Sequence, residues 1–158
     1  MLFLLFQLGK DRYALQASHV VEVLPLVELK SVPEGPKGFA GFFNYRGRPV
    51  PAVDLSQLTL GRPSAERLST RLIVINCNDG RGNGQLLGFI AEHATEMIDK
   101  NPTQFVESGV SLGSAPYLGP ILIDSTGPIQ LVREQHFLSE NVRSALFEET
   151  LRLSNATD

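Results

Sequence analysis

The chain of 158 residues has no tryptophan and only one cysteine, Cys77. A single thiol excludes an intramolecular disulfide. It sits in Arg71-Leu72-Ile73-Val74-Ile75-Asn76-Cys77, an apolar run that reads as a strand, so a buried structural thiol is expected. A nucleophile would need a base and an electropositive setting, and the sequence shows neither. Concentrated positive charge is also missing. The net charge is −3 with a pI near 5.6, and no run of Lys or Arg exceeds two residues. Sequence-independent nucleic-acid binding needs clustered cations against phosphates, so this balance argues against it. There is no long hydrophobic stretch. The apolar start, residues 1–6, is far short of a membrane span and has neither a basic leader nor a cleavage motif. A buried first strand is expected there, in a chain that stays in the cytoplasm.

Catalytic signatures are absent too. No phosphate-binding Gly-rich loop ending in Lys-Ser/Thr, no G-x-S-x-G elbow and no H-E-x-x-H occurs. The three histidines, His19, His93 and His136, are far apart, without Cys, His or carboxylate partners at ligand spacing, so neither a metal nor another cofactor is expected. Glu22 and Glu96 could be taken for an acid–base pair, but each lies in a strand-like run whose exposed face is polar.

What the chain does have is 14 glycines and 10 prolines between short apolar runs, the pattern of many short strands. Residues 2–8 read as a buried strand, 9–11 as a turn and 12–15 as its hairpin return. Residues 17–24 read as a helical turn followed by a strand, and Pro25, Pro33 and Pro36 make the next stretch irregular. A strand over 47–55 carries Pro49 and Pro51, which favours an edge position, because proline cannot donate to a ladder. Residues 60–70 are polar and form a candidate linker or lobe boundary. Beyond them, strands are expected over 71–77, 85–91 and 94–98. A strong turn is expected over 78–83, a loop with a short helix over 101–119, and a last hairpin over 118–123 and 127–132. Val142, Ala145, Leu146 and Leu151 lie near helical spacing, so a C-terminal amphipathic helix is expected over about 139–153, capped by Ser139 or Asn141.

A weak internal echo joins the two halves. Ala17, His19 and Glu22 coincide with Ala91, His93 and Glu96 at one constant offset, and Pro49 to Val53 coincides with Pro128 to Val132 at a similar one. Two echoes in the same order favour two similar small barrels.

The strongest local signal is Gly38-Phe39-Ala40-Gly41-Phe42-Phe43-Asn44-Tyr45-Arg46-Gly47. Gly47 suits a tight turn that strains other residues, and that turn holds Arg46 at the mouth of a hairpin. A guanidinium there can make forked bonds to a partner's carboxylates or carbonyls, or it can pair with the domain's own carbonyls or Asp54. Phe39, Phe42, Phe43 and Tyr45 crowd into seven residues. Either some are exposed as a protein-binding patch, or burial on both faces hides them.

In these residues the chain resembles the CheW-like family. Phe6-Gln7-Leu8-Gly9 followed by Tyr13-Ala14-Leu15 resembles its opening hairpin, and Val20-Val21-Glu22-Val23-Leu24 its V-x-E-V element, with Val32-Pro33 after it. The run at 38–47 resembles the G-x-x-N-x-R-G signature, and Val50-Pro51-Ala52-Val53-Asp54-Leu55 the V-P-V-x-D-L that follows. The second half matches more loosely, with Glu92, Ala94 and Met97 standing where the family often has Asp, Val and Val. The resemblance covers about residues 3 to 138. It implies a mostly β fold of two five-stranded SH3-like barrels around a shared hydrophobic centre. It also implies a non-catalytic adapter that binds the regulatory domain of a CheA-type histidine kinase by barrel pairing, and the cytoplasmic tip of chemoreceptors in a groove between lobes. By matching position, Val20, Glu22, Val23, Arg46 and Gly47 are the candidate partner-binding residues, with Gly47 more structural than contacting. One alternative is a specialised adapter controlling surface attachment, pili or a second messenger. Another is a small β-barrel enzyme with a site around Glu22 and His19. A third is a single-strand nucleic-acid binder using the aromatics.

Overall fold

The computed structural model describes residues 1–32, 34–78, 84–107 and 115–156. Pro33 and most of the turn expected over 78–83 lie outside the described residues. The strands are β1 (Leu2–Leu8), β2 (Asp11–Gln16), β3 (Val20–Pro25), β4 (Phe39–Tyr45), β5 (Arg48–Asp54), β6 (Arg71–Asn78), β7 (Gly84–Asp99), β8 (Leu118–Asp124) and β9 (Gly127–Val132). The helices are α1 (Leu55–Leu60) and α2 (Glu140–Ala156). Short 3-10 turns cover Ala17–His19, Pro102–Gln104 and Glu134–His136.

Two five-stranded SH3-like lobes arise because β7 is long enough to serve both. Its first part pairs antiparallel with β6 (Arg71 opposite Ala91) and parallel with β5 (Ala52 opposite Gly88). With β3 and β4 these strands form a central lobe. The remainder, from Glu92, pairs antiparallel with β1, and with β2, β9 and β8 completes a terminal lobe. The strand changes sheet at His93, whose φ is 53°, opposite a register shift between Leu5 and Gln7. A residue in the left-handed region interrupts the pleat, so one strand can leave one sheet and enter another. Sequence suggests two strands, 85–91 and 94–98; they are one strand interrupted by this irregularity.

The echo has a structural counterpart. β3 and the second part of β7 pair antiparallel with β6 and β1, respectively. The hairpins β4–β5 and β8–β9 are equivalent, and β5 and β9 each pair parallel with a strand of the same kind, β7 and β2. Isolated bridges Lys30–Phe42 and Val106–Ile121 match as well. The equivalence is permuted along the chain, because the terminal lobe takes strands from both ends. Residues 60–70, read as a candidate lobe boundary, join strands of one lobe: β5 and β6 both belong to the central sheet. The segment is tied down there. Ser64 donates its backbone N–H and hydroxyl to Asp54 at 2.9 and 2.6 Å, and Ala94 N–H donates to the Ser69 carbonyl at 3.0 Å.

Alternation along the strands sorts the apolar side chains into three cores. In β1, Phe3 and Leu5 enter the interior of the terminal lobe, while Leu4, Phe6 and Leu8 face a shared centre. In β6, Leu72 and Val74 enter the central lobe, and Ile73, Ile75 and Cys77 face the shared centre. Both faces of these strands are covered, which is why they read as unbroken apolar runs. Phe89, Phe137, Leu146 and Phe147 complete the shared centre, each fully buried large side chain contributing about 1.5–3 kcal/mol.

Three local expectations change. β5 is not an edge strand, since it pairs with β4 and β7 on its two sides. Its prolines are tolerated because pairing with β7 begins only at Ala52, beyond both. Phe42, opposite Pro51, turns its own N–H and C=O to Lys30 at 2.9 and 2.8 Å, so no donor is needed at Pro51. Leu55 begins a helix rather than ending a strand. Asp54 caps it, accepting from Ser56 and Gln57 N–H at 3.0 and 3.3 Å. In α2 the buried pair is Leu146 and Phe147, whereas Ala145 and Leu151 are exposed. Ser139 is its cap, accepting from Val142 N–H at 3.2 Å.

Candidate functional site

The site centres on the β4–β5 turn and the facing strand β3. Asn44 Oδ1 accepts the Gly47 N–H at 2.7 Å, and Arg46 and Gly47 take φ values of 52° and 85°. Two consecutive left-handed residues make a tight hairpin turn whose second position is open to glycine at no steric cost. Arg46 bears the strain of a non-glycine residue there.

That turn aims Arg46 at β3. Its Nη2 donates to Glu22 Oε1 at 3.0 Å, and Tyr45 Oη donates to the same oxygen at 3.0 Å. The Arg46 guanidinium carbon stands 5.3 Å from the centre of the Tyr45 ring, within cation–π reach. Arg46 does pair within its own chain, but with Glu22 and not with the backbone carbonyls or Asp54 that the sequence suggested; the Asp54 carboxylate is spent on α1 and Ser64. The side chain of Arg46 is 76% exposed and that of Glu22 33%. The bond to Glu22 uses one nitrogen, which leaves the rest of the guanidinium facing outward. The Tyr45 hydroxyl is pushed above its ordinary pKa, first by burial and then by its bond to Glu22.

The other two candidates point elsewhere. Val20 and Val23 are half-buried and pack against the shared centre, on the opposite side of β3 from Glu22. A register shift between Val20 and Glu22 sets this arrangement and leaves Val21 exposed. The structure thus brings together Arg46, Glu22 and Gly47. It places Val20 and Val23 at the rim of the inter-lobe core.

One residue belongs here that sequence reasoning did not assign to the site, and another stands at the equivalent register of the other lobe. Tyr45 is the second donor to Glu22. Met97 holds the register in the terminal lobe that Val23 holds in the central one. It lies opposite Leu4 as Val23 lies opposite Ile73, and it is 49% exposed. The echo at constant offset was the signal for Met97, since it pairs position 23 with position 97. The terminal lobe does not repeat the Arg–Glu cluster. Asp124 stands in its turn, held by Arg12 at 2.7 Å, and Glu96 is exposed.

The aromatics resolve to burial. Phe43 and Tyr45 lie inside the central lobe, and Phe42 is buried with Phe39 edge-on at a centroid distance of 5.2 Å. They form no stacking platform for bases. Glu22 and His19 do not converge: Glu22 bonds to Tyr45 and Arg46, and His19 pairs with Glu134. Two cavities of about 520 Å³ flank α2, and neither is lined by Glu22 or His19. Among the described residues no helix is long and apolar enough to cross a membrane, and no three His, Cys, Asp or Glu side chains cluster to hold a metal ion.

A family model described as the CheW-like domain matches residues 2–141. The chain is 31% identical over 97 residues to "Chemotaxis protein CheW" of Helicobacter pylori, an alignment covering 61% of this chain and 55% of that protein. The match thus spans about half the relative's length. Among solved structures, the scaffolding protein TtCheW from Thermoanaerobacter tengcongensis aligns with a TM-score of 0.74, covering 87% of each chain at 21% identity. Likeness at that identity speaks for the fold.

Proposed function

The chain belongs to the CheW-like family, and on that premise we propose that it is a non-catalytic cytoplasmic adapter coupling chemoreceptors to a CheA-type histidine kinase. The observation that carries the reading is the Arg46–Glu22 cluster on the N-x-R-G turn, at the positions the family resemblance marks. The cluster is suited to a protein partner. A mostly exposed guanidinium with unused N–H groups presents a fork for a partner's carboxylate or carbonyls. The half-buried Val20 and Val23 offer an apolar margin beside the inter-lobe core, of the kind a receptor helix can cover. Glu22 holds Arg46 in place before binding, which lowers the ordering cost of the contact.

The test is reconstitution. Receptor cytoplasmic fragments, kinase and this chain are mixed, and kinase activity and co-sedimentation are read with and without the chain. The adapter reading expects the kinase to sediment with receptor and come under its control only when the chain is present. Equal coupling without the chain overturns it.

A further inference from the structure

Of the two cavities that flank α2, one gathers positive charge and the other does not. The first lies where α1, the 3-10 turn Glu134–His136 and the start of α2 meet, and its volume is about 520 Å³. That falls within the range of small-molecule sites, about 300–1,000 Å³. Among the described residues that line it, Lys37, His136 and Arg143 face a single carboxylate, Glu140. The second cavity has the same volume, but there the described cation, Arg152, is already paired with Glu149 at 3.1 Å, and Glu34 adds another carboxylate. In a chain of net charge −3, the first cavity is a local reversal of sign.

The fold brings these side chains together from three elements. The Gly38 carbonyl accepts the Asp54 N–H at 2.8 Å, which ties the residue before it, Lys37, to the head of α1. The Tyr117 carbonyl accepts the Arg133 N–H at 2.7 Å, which fixes Tyr117 beside the turn that carries His136. Arg143 lies one turn into α2 and is half-buried. Its Nη1 is directed to the Cys77 sulfur at 3.7 Å, a weak acceptor, and its Nε is buried without a hydrogen-bond partner. Among the described residues neither Arg143 nor Lys37 forms an ion pair. A half-buried guanidinium without a counter-charge is costly, and an anion entering the cavity offsets that cost. The wall beside these cations is flat. The Tyr117 ring stacks on Phe137 with centroids 4.4 Å and planes 20° apart, and both residues line the cavity.

We propose that this cavity binds a small phosphate ester bearing a flat ring, a mononucleotide in chemical class. The phosphate supplies three acceptor oxygens to donors on Arg143, Lys37 and the His136 ring. The flat ring lies against the aromatic wall, where stacking or edge contacts add to burial of apolar area. Glu140 is exposed and offsets part of the attraction. None of the candidate partner residues lines the cavity, so the proposal stands independently of the adapter reading.

The experiment titrates the full chain with AMP, inorganic phosphate and adenosine at constant ionic strength, read by two-dimensional NMR and calorimetry. AMP should saturate one site and shift the amides of Lys37, Thr59, Tyr117 and His136 to Arg143. It should bind about ten-fold tighter than phosphate or adenosine alone. Arg143→Gln should weaken AMP binding about ten-fold and Lys37→Gln about three-fold, whereas Arg152→Gln, in the other cavity, should leave it unchanged. Lys37 is exposed, so its variant keeps the test standing should Arg143→Gln fail to fold. The absence of saturable shifts at the cavity, or shifts spread over exposed arginines elsewhere, overturns the proposal. So does phosphate binding as tightly as AMP, which marks an adventitious ion only, or undiminished AMP affinity in Lys37→Gln.

Discussion

Arg46 and Glu22, 24 residues apart in the chain, meet at 3.0 Å because a left-handed turn at the end of β4 points a guanidinium across to β3. The contact links the two sequence elements that carry the family resemblance. It also separates stability from function. The pair is largely exposed, and an exposed ion pair contributes about 0–1 kcal/mol.

Arg46→Ala should therefore change unfolding free energy by less than about 1 kcal/mol. It should weaken partner binding by about ten-fold or more, the cost of removing a charged hydrogen-bonding group from an interface. Urea denaturation and calorimetry on the same preparation separate the two effects. A large loss of stability with unchanged affinity would make Arg46 structural.

Gly47→Ala tests the turn. At φ 85° an L side chain is strained by about 1 kcal/mol, yet nothing lies within 4 Å of the added Cβ. A small destabilisation with a folded spectrum is expected. Gly41→Ala should be far worse, because there φ is 131° and the new Cβ would fall 2.4 Å from the Lys30 carbonyl oxygen, breaking the bridge to Phe42. Circular dichroism and urea melts of the two variants rank them.

Asp124 should leave a signature in acid. The Arg12 hydrogen bond, ahead of the bonds from Thr126, holds its carboxyl down at about 2, from an ordinary 3.8. A depressed folded-state pKa contributes stability that is complete above the unfolded value and is lost as pH falls through the folded one. The loss belongs between about pH 4 and pH 2 and is on the order of 1 kcal/mol after solvent screening. Asp124→Asn should flatten the stability curve in that window, as read by urea midpoints.

Phe147→Ala should cost about 3–5 kcal/mol, since it empties a buried aromatic site in the shared centre where α2 docks. Leu151→Ala on the same helix should cost under about 0.5 kcal/mol, because that side chain is 50% exposed. Thermal melts of both check whether α2 is anchored through Leu146 and Phe147.

Local elements were readable where one period or one turn residue decides the structure. β1, the β8–β9 hairpin and the turn before β3 are of this kind. α1 was hidden because Asp54 and Leu55 continue an apolar strand without a break, and only the carboxylate's bonds to Ser56 and Gln57 mark the helix start. The sharing of β7 was not readable. It depends on pairing with β1 and β6, which lie far apart in sequence, and on one left-handed residue that is not glycine, His93. Arg46 and Glu22 could each be singled out from the resemblance, but their meeting depends on how the β4–β5 turn sits against β3. The direction of Val20 and Val23 depended on a register irregularity that no composition or spacing encodes.

The most direct test is calorimetry of the purified chain with the regulatory domain of a CheA-type kinase from the same genome, alongside Arg46→Glu checked for fold by circular dichroism. The adapter reading predicts micromolar or tighter binding for the wild type and its loss in the variant, at about 8 kcal/mol of binding free energy for the micromolar case. Absence of binding by the folded wild type contradicts kinase coupling, and undiminished binding by Arg46→Glu removes Arg46 from the interface.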